Sequence, residues 1–294
     1  MLGSIELLRL ISVILIVFTH TRHNIDAGIF HFLFEIVPQY GTTILSIISG
    51  YLFKEFSSKK SNLLNKKIHT LLIPFLISNL VVIILVFILK IFDFNVLNRL
   101  HYDLSIISDG LFALNRAPIN PPTFFIRDLF LLFCIISLFQ KNYYSLLLII
   151  PYIIFGKLFL RVDIVFLFII GSLISLKKES VCNNKKIFYL ALAIIIIINT
   201  YLQNYDYIKS SISILIFLLS FDAKIKFINI GGYSYLLHLY HSPIIVMIYP
   251  LLKQVIYNQV LLVFLQFTST IIITYIINEI LKKYKLYIFT GGRI

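Results

Sequence analysis

Long apolar runs constrain this chain more than any other feature of its sequence. Residues 71–92 read LLIPFLISNLVVIILVFILKIF, and residues 187–202 read IFYLALAIIIIINTYL. Because a helix needs about 20 apolar residues to cross a bilayer, such runs predict membrane spans. The composition agrees: 59% of the residues are hydrophobic and 13% are charged, whereas soluble proteins carry about 25% charged residues. The chain is therefore expected to be an all-α integral membrane protein that contacts the lipid bilayer.

The apolar segments predict a single polytopic bundle of about ten transmembrane helices, with residues 1–294 as one domain. The expected spans are residues 5–22, 32–53, 69–92, 122–139, 143–156, 162–176, 187–203, 210–221, 232–252 and 259–281. Lys and Arg are about twice as frequent on the side that holds both termini, which the positive-inside rule assigns to the cytoplasm. Lys59 and Lys60 belong to that side. Because the basic residues lie in short segments between spans, the net charge of +13 indicates membrane topology, and no nucleic-acid partner is expected.

Arg9 and His20 lie within the first apolar stretch, eleven positions apart. On a continuous helix this spacing is about three turns and 16 Å, so both residues would share one face. Ionisable groups within a membrane helix usually face a cavity or the protein interior, and often mark a site. The alternative is that Arg9 reaches the cytoplasmic headgroups and His20 only marks the outer interface. A shared cavity would place a base and a phosphate-binding cation together.

Five motifs, taken in order, resemble the acyltransferase-3 family of membrane acyltransferases. The first is the Arg9–His20 spacing, and the others resemble that family's later landmarks. These are IISGYLF (47–53), NKKIHTLLIPFL (65–76), PTFFIRDLFLLF (122–133) and GGYSYLLHLYHSPIIV (231–246). The resemblance extends from residue 1 to about residue 281. One departure is the basic loop, which has lysines and a histidine where relatives often have arginines.

The resemblance implies a chemistry and a set of substrates. Family members move an acyl group, commonly acetyl, from cytoplasmic acyl-coenzyme A to a hydroxyl of a cell-surface or lipid-linked carbohydrate. Acyl-CoA is then a co-substrate, and no tightly bound cofactor is expected. By this resemblance His20 would act on the acyl transfer as general base, and Arg9 would bind the donor or stabilise charge. A bacterial inner membrane is the location that the family implies.

Further residues are candidates for substrate or donor binding. Lys66 and Lys67 either meet the coenzyme A phosphates or only set the topology. Arg127 and Asp128 either contact substrate or anchor helix packing, and as sequence neighbours they point about 100° apart, so no direct pair is expected. His241 fits the family's late histidine and is expected to line the cavity.

Three other interpretations concern parts of this sequence. His238 lies three positions before His241, which is compatible with a metal site, but no H-E-x-x-H pattern accompanies the pair and no metal is expected. An intramembrane arginine and histidine are also typical of a transporter or flippase for a small anion or glycolipid. The absence of a visible internal repeat weighs against that alternative. A glycan polymerase would usually have a larger external loop than residues 93–121.

Overall fold

The computed structural model describes residues 2–58, 62–97 and 99–293, and this part of the chain is helical without any strand. Lys59 and Lys60 lie outside it. In chain order the helices are α1 (Leu2–Phe18), α2 (Gly28–His31), α3 (Tyr40–Phe56), α4 (Leu63–Lys67), α5 (Ile73–Ile91), α6 (Phe124–Phe139), α7 (Tyr144–Phe155), α8 (Val162–Leu176), α9 (Lys178–Asn183), α10 (Lys185–Tyr201), α11 (Tyr205–Leu219), α12 (Gly231–Val255) and α13 (Gln259–Lys283). Because lipid offers no hydrogen bonds to the backbone, helices are the expected form for apolar segments.

Each predicted span overlaps a helical segment. Five stretches of the described chain are long and apolar enough to cross a bilayer: Gly28–Phe56, Leu63–Ile91, Pro121–Phe139, Gly231–Val255 and Gln259–Lys283. Tyr144–Phe155 and Val162–Leu176 are shorter apolar helices. The described residues therefore confirm an all-helical fold with several long apolar helices, which indicates an integral membrane protein.

The first helix ends earlier than the apolar pattern predicts. Helix α1 stops at Phe18, and His20 lies in the turn that follows. The expectation of one continuous helix from Arg9 to His20 is therefore wrong. The helical period cannot be used to assign these two residues to one face.

Helices α4 and α5 are joined by a wider helical turn. Residues Ile68–Leu72 form a π-helical stretch, and Pro74 follows in the first turn of α5. Leu63–Ile91 is one continuous helical stretch, so Pro74 lies in its interior and lacks the N–H that would bond to the carbonyl four residues earlier. The basic residues of α4 thus continue into a proline-containing span, as the sequence predicts.

The residue contacts divide the chain into two compact units. The first comprises Met1–Thr19, Asp26–Ser61 and Asp163–Gly231, and the second comprises His20–Ile25, Asn62–Val162 and Gly232–Ile294. That residues 1–294 form a single domain stays a prediction.

The first unit packs its helices closely around a core of apolar side chains. The core includes Ile5, Ile44, Ile47, Ile48, Tyr51, Leu167, Phe217 and Leu218. Two glycines allow α3 and α8 to approach each other. A Cβ at Gly50 would overlap the Phe168 carbonyl, and a Cβ at Gly171 would overlap the Ile47 carbonyl. Gly50 is therefore a helix-packing point, as expected of small residues between membrane helices.

In the second unit α6 is the most enclosed long helix. Of the candidate spans, Pro121–Phe139 has the largest buried share. Helix α6 packs against α4 and α7. By contrast α5 and α13 expose many large apolar side chains, among them Phe87 and Ile276. Apolar exposure over whole helix faces is what a lipid environment requires.

Candidate functional site

His20 lines a cavity of about 420 Å³ in the second unit. The walls come from α5, from residues 96–97 and 99–100, from residues 119–121 and from the middle of α12. Most of the lining side chains are apolar, and the polar ones are His20, Arg22, Arg99, Asn120 and Ser242. Ligand pockets commonly have volumes of about 300–1,000 Å³ and few polar groups. The predicted base thus lies where a small substrate has room to approach it.

His241 packs directly against His20. The two ring centroids are 5.1 Å apart, with 56° between the ring planes. His241 is fully buried, and its Nδ1 lies 2.8 Å from the Leu237 carbonyl oxygen. Because a carbonyl only accepts, Nδ1 carries the proton and the neutral ring keeps Nε2 as a hydrogen-bond acceptor. Nε2 has no hydrogen-bond partner in the described chain.

Pro243 changes the backbone hydrogen bonding of α12 beside this cavity. A proline inside a helix removes the hydrogen bond to the carbonyl four residues earlier, here that of Leu239. The Asn120 side-chain Nδ2 donates to that carbonyl at 2.7 Å. The Asn120 backbone N–H in turn donates to Asn79 Oδ1 at 3.1 Å. This hydrogen-bond chain links α12, the segment before α6, and α5, and it fixes the wall that carries Asn120.

His238 lies one turn before His241 and packs edge-on against Phe125, with ring centroids 5.7 Å apart. Its ring centroid is 6.2 Å from that of His241. Within the described residues no group of three or more His, Cys, Asp or Glu side chains is placed to hold a metal ion.

Arg9 lies in the first unit, on α1. Its guanidinium forms an ion pair with Glu6, one helical turn earlier. It also lies against the backbone of Gly231, where a Cβ would overlap Arg9 Nη2. The Arg9 side chain is paired with Glu6, but 24% of it is exposed to solvent. Its assignment to one cavity with His20 stays a prediction.

Lys66 and Lys67 form the last turn of α4. Lys66 is exposed. The Lys67 Nζ lies 3.8 Å from the Phe133 ring centroid, a cation–π contact with α6. The Lys67 side chain therefore contacts a neighbouring helix. Their role in donor binding stays a prediction.

Arg127 and Asp128 do form a direct pair, contrary to the sequence expectation. Arg127 Nη1 lies 2.5 Å from Asp128 Oδ1, and the side chains are 1% and 0% exposed. Neighbouring residues of a helix point about 100° apart, but the arginine side chain is long enough to contact the carboxylate of the next residue. Arg127 also donates to the Leu158 carbonyl at 2.9 Å and to the Lys157 carbonyl.

The same pair also forms hydrogen bonds with the segment that connects α7 to α8. The Asp128 carboxylate accepts the backbone N–H groups of Leu160 and Arg161 at 3.1 and 2.9 Å. The Arg127 guanidinium carbon lies 4.6 Å from the Tyr152 ring centroid. All of these contacts are internal to the protein, which favours the helix-anchoring interpretation over substrate contact.

Sequence reasoning missed several of these site residues. The sequence does not distinguish Arg22 and Arg99 from other arginines between apolar segments, yet both line the His20 cavity. Partial burial lowers the pKa of Arg99 from its ordinary value, but a guanidinium stays charged at neutral pH. Glu6 pairs with Arg9, and its position three residues earlier on the helix was a usable signal. No sequence signal identified Asn120.

The long apolar helices define a class, an α-helical integral membrane protein, and His20 lines a cavity within it. A comparison with protein families shows more. The acyltransferase-3 model, described as an acyltransferase domain, matches residues 2–279. The chain belongs to the acyltransferase-3 family. Searches of curated proteins and of solved structures give no match.

Proposed function

We propose that the protein is a membrane O-acyltransferase that moves an acyl group, most simply acetyl, from cytoplasmic acyl-CoA to a carbohydrate hydroxyl. The acceptor is a cell-surface or lipid-linked glycan, so the reaction modifies a polysaccharide. One observation carries the proposal: in a chain of this family, His20 lines a cavity large enough for a substrate.

The proposed chemistry assigns His20 the role of general base. Its neutral imidazole takes the proton of the acceptor hydroxyl while the oxygen attacks the thioester carbonyl. A carbon–oxygen bond forms and the carbon–sulfur bond breaks, which releases the coenzyme A thiolate. The imidazolium then returns its proton to that thiolate. His241, packed against the His20 ring, supports the ring orientation that this exchange requires.

The proposal places the donor on the cytoplasmic side. Arg9 and Lys66, together with Lys67, would meet the phosphates of coenzyme A, since cations bind phosphate through charge-assisted hydrogen bonds. In this proposal the chain has about ten spans and both termini lie in the cytoplasm, in a bacterial inner membrane. Acyl-CoA acts as a co-substrate, and no tightly bound cofactor takes part.

The fixed contacts of Arg127 and Asp128 suggest that this pair supports the site from a distance. The pair holds the connection between α7 and α8 to α6. We therefore assign it a structural role instead of substrate binding. Its removal would then alter stability before it altered chemistry.

Release of the coenzyme A thiol tests the proposal. Purified protein receives acetyl-CoA with and without a lipid and glycan extract, and a thiol reagent follows free coenzyme A. An acyltransferase releases thiol in proportion to acceptor added. A transporter or flippase moves its substrate and leaves the thioester intact. Thiol release that is the same with and without the extract would therefore contradict the proposal. The His20→Ala variant provides the matched baseline.

A further inference from the structure

The cavity that His20 lines carries an excess of positive charge. Arg22 and Arg99 both line it, and no acidic residue of the described chain does. Arg99 Nη2 donates to the Pro118 carbonyl at 3.2 Å. The Arg22 guanidinium carbon lies 5.5 Å from the Tyr249 ring centroid. Neither guanidinium forms an ion pair with a described carboxylate, and each has five N–H donors, so donors remain for an anion.

The remaining lining of this cavity is suited to an amphiphile. Leucine, isoleucine, valine, proline and methionine side chains of α5, of the loop before α6 and of α12 form its apolar walls. Asn120 is 1% exposed, and its side-chain Oδ1 has no hydrogen-bond partner among the described residues. A buried acceptor without a partner costs free energy unless a ligand or water supplies a donor. The hydroxyl group of a substrate that accepts the acyl group can donate this hydrogen bond.

We propose that this cavity binds an amphiphilic acceptor that carries an anionic oxygen group, a phosphate or a carboxylate, near the hydroxyl that is acylated. Arg22 and Arg99 hold the anion, because guanidinium pairs with both groups through two parallel hydrogen bonds. The apolar walls take the lipid portion, and Asn120 Oδ1 accepts a hydrogen bond from the substrate. The assignment of this ligand as the acyl acceptor rests on the proposed function.

Direct binding of simple probes tests this proposal without requiring the natural acceptor. The protein is purified in neutral dodecyl maltoside, and radiolabelled dodecyl phosphate is titrated by equilibrium dialysis. A second arm uses dodecyl glucuronide, whose anion is a carboxylate, and the tighter of the two probes identifies the anion. Arg22→Gln and Arg99→Gln are each expected to weaken binding about tenfold, the scale of one charged hydrogen-bonded contact.

Two control variants separate the outcomes. Arg116→Gln removes an exposed arginine outside the cavity, so it should leave probe affinity unchanged. His20→Ala should retain dodecyl phosphate binding while it loses acyl transfer. Equal affinity of the parent and the Arg22→Gln/Arg99→Gln double variant for both probes would overturn the anion site. Arginine-dependent probe binding in a protein that releases no coenzyme A thiol would support the site and contradict the acyltransferase function.

Discussion

Replacement of Asp128 by alanine should destabilise the protein strongly. The substitution leaves the Arg127 guanidinium, 1% exposed, without its carboxylate. It also leaves the Leu160 and Arg161 N–H groups without their acceptor. Breaking a buried pair by removal of one partner costs about 3–5 kcal/mol. Against a total stability of about 5–15 kcal/mol, this is a large fraction.

Thermal unfolding in detergent measures this effect. At about 2 °C per kcal/mol for a chain of this size, Asp128→Ala should lower Tm by about 6 °C or more. The double variant Arg127→Leu/Asp128→Leu should recover part of the loss, because no buried charge then lacks a partner. Asp26→Ala, at an exposed position, is the control and should change Tm little. An unchanged Tm in Asp128→Ala, accompanied by lost acyl transfer, would refute the anchoring role and return the pair to substrate binding.

Three further substitutions have defined outcomes. Gly50→Ala places a methyl group against the Phe168 carbonyl and should cost about 1–3 kcal/mol of stability, seen as a lower Tm; an unchanged Tm would mean that α3 and α8 move apart freely. Gly231→Ala should displace the Arg9 guanidinium and lower kcat/KM for acetyl-CoA about tenfold with little change in expression; an unaltered kcat/KM would remove Arg9 from donor binding. Lys66→Gln should raise the KM for acetyl-CoA severalfold at constant kcat if it meets a phosphate, and an unchanged KM would leave it a topological charge.

The helical segments were predictable because lipid restricts the backbone to helices and the runs of apolar residues are long. The end of α1 was not predictable from hydropathy, since Thr19 and His20 follow the apolar run without a proline or glycine to stop it. The packing role of Gly50 was predictable from its size. What Gly50 contacts, the Phe168 backbone, depends on tertiary structure.

The site was predictable only in part. The family motifs singled out His20 and His241, and the structure brings their rings together, but of the two only His20 lines the cavity. Arg22 and Arg99 were not predicted as site residues, because a loop arginine has the same sequence signature whether it faces water or a cavity. The Arg127–Asp128 pair was mispredicted because a helical wheel fixes Cβ directions, whereas a long side chain can bend back to its neighbour.

Acyl transfer from radiolabelled acetyl-CoA, in membranes that contain the parent or the His20→Ala variant, tests the central claim most directly. His101→Ala, at an exposed position between α5 and α6 and outside the cavity lining, is the matched histidine control. The expected result is label in the extracted lipid or glycan fraction with the parent and with His101→Ala, and none with His20→Ala at equal abundance. Label that persists in His20→Ala would contradict the assignment of His20 as the base.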